Sequence, residues 1–182
     1  ASIEAALRRN MAQSVAATME SAFLANSDVA NAPTSLLDDA TSAATSVISV
    51  ANVEKMETDA LAANVNLEGA RMAYIMNPAA YADVKSLVAV SAITPLYDRT
   101  DKMLNGYFSF ITSNLNSGVA TTKTAALFGD FSKVHIAQFG GLDVIYDIYS
   151  GAGTGEPRYV LTSLVDGDAV QNGDAFSNLI EA

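Results

Sequence analysis

The sequence predicts an α+β fold, and three observations carry that prediction. An apolar stripe with helical spacing fills the first segment, a strand runs straight into a helix at Asn77-Pro78, and alternating apolar residues dominate the last third. At 182 residues the chain fits one domain or two small lobes sharing a core. Half of its residues are hydrophobic and 16% are charged, which excludes global disorder.

In order along the chain, residues 2–25 form the first predicted helix. Ile3, Leu7, Met11, Val15, Met19 and Phe23 recur every four residues, with Ala22 and Leu24 widening the stripe and Ser2 as a cap. A spacing of four drifts around a helix of 3.6 residues per turn, so the stripe spirals and suits a long rod lying obliquely on other elements. "ANSDVANAP" ends it through turn chemistry and Pro33. Residues 34–48, rich in Ser, Thr, Ala and Asp, are expected to be a loop. A second helix is expected from Val50 to Leu61, capped by Ser49, with Val50, Val53, Met56, Ala60 and Leu61 inward. "RMAYIM" (71–76) is a buried strand. Asn77 and Pro78 then supply an N-cap and a first helical residue, and the following helix puts Tyr81, Val84, Leu87 and Val88 on one side.

Asn105-Gly106 is a turn into a strand from Tyr107 to Ile111. Thr/Ala-rich residues 119–126 lead into "LFGDFSKVHIAQFGGLDVIYDIYS" (127–150), where strands 134–139 and 142–149 flank Gly140-Gly141 as a two-residue hairpin turn. On the second strand Leu142, Val144, Tyr146 and Ile148 share one face, and Asp143, Ile145, Asp147 and Tyr149 the other, so one side is expected buried and the other mixed. "RYVLTSLV" (158–165) is a further strand, and "DAVQ" and "AFSNLI" finish the chain. The expected layout is helices early and a mainly antiparallel sheet late, with no internal repeat.

Ten basic against twenty acidic residues give a net charge of -10, which argues against electrostatic nucleic-acid binding. The absence of cysteine removes disulfides, thiolate catalysis and cysteine metal sites. No apolar run approaches the ~18 residues of a membrane span. In "ASIEAALRRNMAQ" the arginines follow the apolar positions, unlike a signal peptide, and no Met initiates the chain, so it is expected to be a piece of something longer.

Chemical motifs are few. His135 sits in a strand with no Ser or Cys nucleophile motif nearby and with Asp130 five residues away across a turn; a structural role is expected. "GAGTGEP" (151–157) precedes a strand, not the helix that a phosphate-binding loop must open, and reads as a linker. "DGDAVQNGDAFS" (166–177) places Asp166 and Asp168 as first calcium ligands. It then puts Val170 and Gln171 where an oxygen ligand and a glycine belong, and Ser177 where a bidentate Glu belongs. Asp38-Asp39 and "EKMETD" (54–59) are expected to be solvated faces. No catalytic, cofactor-binding or metal-ligating residue is assigned.

The order of these features resembles the major capsid proteins of tailed bacteriophages, the HK97-like family, over essentially the whole chain. The residues that carry the resemblance are "IEAALRRNMAQSVAATMESAFL", "AYIMNPAAYADVKSL", "NGYFSFITSN", "GDFS" at Gly129 to Ser132, "GGLDVIYD" and "DGDAVQNGDAFSNL". It implies a long spine helix with returning strands (1–29 and 134–182) as a peripheral-type domain, and 30–133 as an axial-type domain, joined where Gly129 to Ser132 closes the axial lobe. The family's N-terminal arm and extended loop are expected to be absent, and "ANSDVANAP" stands where some members have a "GDG" turn. No Lys/Asn cross-linking pair is carried over.

The implied function is a structural shell protein of a phage or prophage, not an enzyme, self-assembling into pentamers and hexamers of an icosahedral head. Its implied partners are itself and scaffold, portal or decoration proteins, without sequence-specific nucleic acid or membrane. The implied location is the virion, after synthesis in the bacterial host cytoplasm. The negative charge fits a shell that lets packaged DNA slide. Two alternatives remain: an encapsulin-like nanocompartment, and an enzymatic or small-molecule-binding α+β domain in which His135, Asp130 and Tyr146 converge.

Overall fold

A computed structural model describes residues 3–24, 33–45, 48–62, 71–88, 95–115, 123–147, 149–151, 153–155, 158–169 and 175–181. Helix α1 (Ile3–Phe23) is the predicted rod. Its four-residue stripe holds: Leu7, Met11, Val15 and Met19 are half-buried, Phe23 and Leu24 are buried, and most other positions along it are exposed.

Residues 34–48 correct the expectation of a loop. Ser35 caps a short helix α2 (Leu36–Asp39), its hydroxyl accepting from the Leu37 N–H at 3.2 Å, and Leu36 and Leu37 enter the core. Strand β1 (Thr41–Thr45) follows and pairs in parallel with β9 (Phe176–Glu181). A partner so distant in sequence leaves no local signal, and the strand has no apolar alternation of its own.

Helix α3 (Val50–Ala62) buries Val53, Met56 and Ala60, and the Asn52 N–H donates to Ser49 Oγ at 3.3 Å as the cap predicts. Leu61 does not turn inward; it is 50% exposed. Strand β2 (Met72–Met76) runs directly into helix α4 (Pro78–Val84). There Asn77 Oδ1 accepts from the Ala80 N–H at 2.7 Å while Asn77 Nδ2 donates to the Thr124 carbonyl at 3.2 Å. Helix α4 stops at Val84, so Val88 lies beyond it, exposed.

Short strands β3 (Tyr97–Asp98) and β4 (Met103–Leu104) lead through a turn with φ of 48° at Asn105 and 87° at Gly106 into β5 (Tyr107–Ile111). Two successive left-handed residues make the tight hairpin that Asn-Gly predicts. Strand β6 (Lys123–Asp130) takes in residues read only as a lead-in.

The strands form a seven-stranded sheet, β1-β9-β6-β2-β5-β4-β3. It is mainly antiparallel, as expected, with two parallel pairings, β1 with β9 and β2 with β5. Cross-strand partners share a face, and rings of Tyr74, Phe128 and Tyr107 meet on the side where α3 and α4 pack. The opposite side carries Ile75, Phe108 and Phe110, with α2 lying toward β9, where Asn178 Nδ2 donates to the Leu37 carbonyl at 3.2 Å.

At Asp130 the chain leaves this sheet. A 3-10 turn (Phe131–Lys133), capped by the Asp130 side chain, precedes β7 (Val134–Asp147), which pairs antiparallel with β8 (Arg158–Ala169) as a separate two-stranded ribbon. Here the expected hairpin at Gly140-Gly141 is overturned. Strand β7 runs through the glycines, and the register shifts between Phe139 and Asp143, so the pair marks a bulge with Gly140 at φ 81°. A glycine pair signals a turn and a bulge equally well, and only the late partner β8 decides between them. The C-terminal strand is also corrected: β9 lies between β1 and β6, so 134–182 divides between the ribbon and the large sheet.

Candidate interaction surfaces

Two regions of the structure expose far more apolar surface than scattered side chains would. The first is the ribbon. Strand β8 alternates along its length, with Leu161, Ser163 and Val165 half-buried and Val160, Thr162 and Leu164 exposed. The half-buried set faces α1, and Met11, Val15, Met19 and Phe23 line with it a groove of about 610 Å³. Strand β7 lies beyond the helix. Ile136, Val144 and Tyr146 are exposed on the helix side of the ribbon, and Phe139 and Ile145 on the other, which corrects the expectation of one buried face. Among the described residues the outer edge of β7 has no strand partner. A long apolar edge strand is a template for pairing.

The second region is the far side of the large sheet. Ala73 pairs with Phe108 and Ile75 with Phe110 across β2 and β5, so these four side chains share a face. Helix α2 does not extend over them, and Phe108 and Phe110 are 57% and 60% exposed. With Arg71, Met72 and Phe131 they line a groove of about 570 Å³. The strand is legible in the residues but this exposure is not; its signal lies in "YFSFI", where apolar residues occupy both faces of one strand.

The groove is held from behind. Tyr74 Oη donates to Glu57 Oε1 at 2.7 Å, and Asn105 Nδ2 donates to Glu57 Oε1 and Oε2 at 2.8 and 3.0 Å, tying the β4–β5 turn to α3. Burial, reinforced by the Glu57 carboxylate, pushes the Tyr74 hydroxyl far above the usual tyrosine range, so it is a fixed donor. Asp130 is buried and its carboxylate accepts from the backbone N–H groups of Arg71 (3.1 Å) and Ser132 (3.0 Å), fixing the exit from the sheet.

The trio considered for catalysis is dispersed. His135 is exposed on β7 opposite Asp168, the Asp130 carboxylate is engaged by backbone, and Tyr146 stacks on Tyr159 with centroids 4.8 Å apart. Eleven strand residues separate His135 from Tyr146, roughly 30 Å or more at ~3.3 Å per residue. Asp166 and Asp168 lie within β8 and accept from the Gly167 and Ala169 N–H groups at 2.9 and 2.7 Å. The centre of the calcium-like stretch (170–174), parts of "GAGTGEP", Ser2, Ile148 and most of "ANSDVANAP" lie outside the described residues, as do the Asp38 and Asp39 side chains. Among the described residues no three His, Cys, Asp or Glu gather as a metal site, and no helix is long and apolar enough to cross a membrane.

A profile of the phage capsid family matches residues 1–179. The chain belongs to that family. The solved structures agree on the fold. The capsid of a native GTA particle computed with C5 symmetry is 19% identical, with a TM-score of 0.72 over 99% of this chain and 66% of that one. The capsid of an empty GTA particle gives 21% and 0.70 over the same shares. Gordonia phage Cozz gives 12% and 0.66 over 96% and 62%. The family member described here therefore has the HK97-like capsid fold and spans just under two thirds of the length of these capsid chains. A search of curated proteins finds no match.

Proposed function

We propose that this phage capsid family member is the structural subunit of a phage-type head and works by self-association, without catalysis. The observation that carries the proposal is the pairing of the capsid fold with two large bare apolar regions at separate places on the chain. Monomeric proteins rarely leave such patches uncovered. Contacts between different surfaces of neighbouring copies close into rings when the rotation permits, and the rings would be the pentamers and hexamers of a closed shell. The GTA particles solved with C5 symmetry support that arrangement.

In this proposal the seven-stranded sheet with α2, α3, α4 and β9 forms the axial lobe, and α1 with the β7–β8 ribbon forms the peripheral one. The subunit would be a virion component, and its charge of -10 keeps the shell from holding packaged DNA tightly. Scaffold, portal or decoration proteins are further partners in this scheme. Electron microscopy of the purified chain across concentration and ionic strength tests it. Rings or closed particles are expected, and a monomer under every condition contradicts it.

A further inference from the structure

Resting on the shell proposal, one contact can be assigned between neighbouring copies. The groove of Ala73, Ile75, Phe108, Phe110 and Phe131 carries a single charge in its lining, Arg71, and no carboxylate. Among the described residues Arg71 has no ion-pair partner. On the opposite side of the same sheet, the outer face of α3 presents Ala51, Glu54, Thr58 and Leu61, all exposed and spaced as one helical stripe. The other α3 carboxylates are engaged: Glu57 by Tyr74 and Asn105, Asp59 by Lys55 at 2.7 Å. Glu54 makes no ion pair among the described residues, and Leu61 is half exposed.

We infer that the groove receives helix α3 of a second copy, with Leu61 seated against Phe108 and Phe110 and Glu54 on Arg71. The spacings agree. Seven helical residues separate Glu54 from Leu61, about 10 Å along the axis at ~1.5 Å per residue. Arg71 stands two residues before Ala73, the partner of Phe108, and four before Ile75, the partner of Phe110, which is about 7 and 13 Å of strand. An apolar contact and an opposite charge therefore stand at comparable separations on the groove and on the helix. Because groove and helix lie on opposite sides of one sheet, the contact is head-to-tail and closes into a ring where the rotation between copies permits.

Charge exchange tests this with native mass spectrometry of the ring population. Arg71→Glu and Glu54→Arg each weaken ring formation, by roughly tenfold or more if the pair is desolvated as interface charge pairs are. The double variant R71E/E54R recovers it. An equimolar mixture of the two single variants restores only even-membered rings, because each groove then accepts only the other variant's helix. Thermal melts of each variant check folding, and since both positions are exposed they should be unchanged. Phe110→Asp, also at an exposed position, should abolish rings with the fold intact.

If Phe110→Asp abolishes rings while the charge variants leave them unchanged, the groove takes another segment or another partner and the α3 assignment is overturned. Rings unaffected by all three substitutions overturn the groove as an interface but leave the shell proposal standing. A wild-type chain that never forms rings overturns both.

Discussion

Gly167 shows how closely a single residue is constrained. A Cβ there would lie 2.6 Å from Phe23 Cε1 and 2.8 Å from the His135 carbonyl, so only glycine lets the end of α1 settle on the ribbon. Gly167→Ala should destabilise the protein by about 1–3 kcal/mol, the usual effect of overpacking, and urea denaturation measures it. Tyr74 makes a second prediction. It is fully buried and its hydroxyl titrates far above the usual range, mainly through burial and then through Glu57. A raised folded value means that stability is fully present below the unfolded value of about 10 and falls as pH rises beyond it, by up to ~1.4 kcal/mol per pH unit for one group. Tyr74→Phe should remove one group's share of that slope between about pH 10 and 11. Equal slopes for the two proteins would contradict the assignment. His135, the candidate for catalysis, has a strand position and no converging partners among the described residues.

At the scale of elements, local chemistry decided what could be read in advance. Asn77-Pro78 announces α4 because cap and first residue are adjacent in sequence, and the structure adds the second bond to Thr124 that ties the cap to β6. Asn77→Ala should therefore cost about 1–2 kcal/mol for the cap, with further loss from the buried Thr124 carbonyl, seen as a lowered unfolding midpoint. The spacing of Leu7, Met11, Val15, Met19 and Phe23 likewise gave α1 and its buried side. Elements made by distant partners were not legible. Thr41–Thr45 has no pattern of its own and becomes a strand through β9, and the bulge at Gly140-Gly141 is defined by β8 across a loop. Periodicity also cannot say whether a face is covered within one chain, so β7 looked half-buried and Leu61 looked inward.

For the whole molecule, the division into two sheets was foreshadowed by "GDFS", where the buried Asp130 ends one sheet and the 3-10 turn opens the other. The return of β9 to the large sheet was not, because one of its partners, β1, lies in the first quarter of the chain. That return joins the chain's last described strand to the same core as β2 and β6, while the ribbon projects its apolar faces elsewhere. The composition is consistent with this arrangement: half of the residues are hydrophobic, yet many of the large ones on β5, β7 and β8 remain uncovered. Such surface is costly unless another copy covers it. Cryo-electron microscopy of the purified chain tests this claim most directly. Five- and six-membered rings are expected, with the seven-stranded sheet nearest the axis and the β7–β8 ribbon outermost. Monomers at every concentration, or rings with the ribbon at the axis, would contradict it.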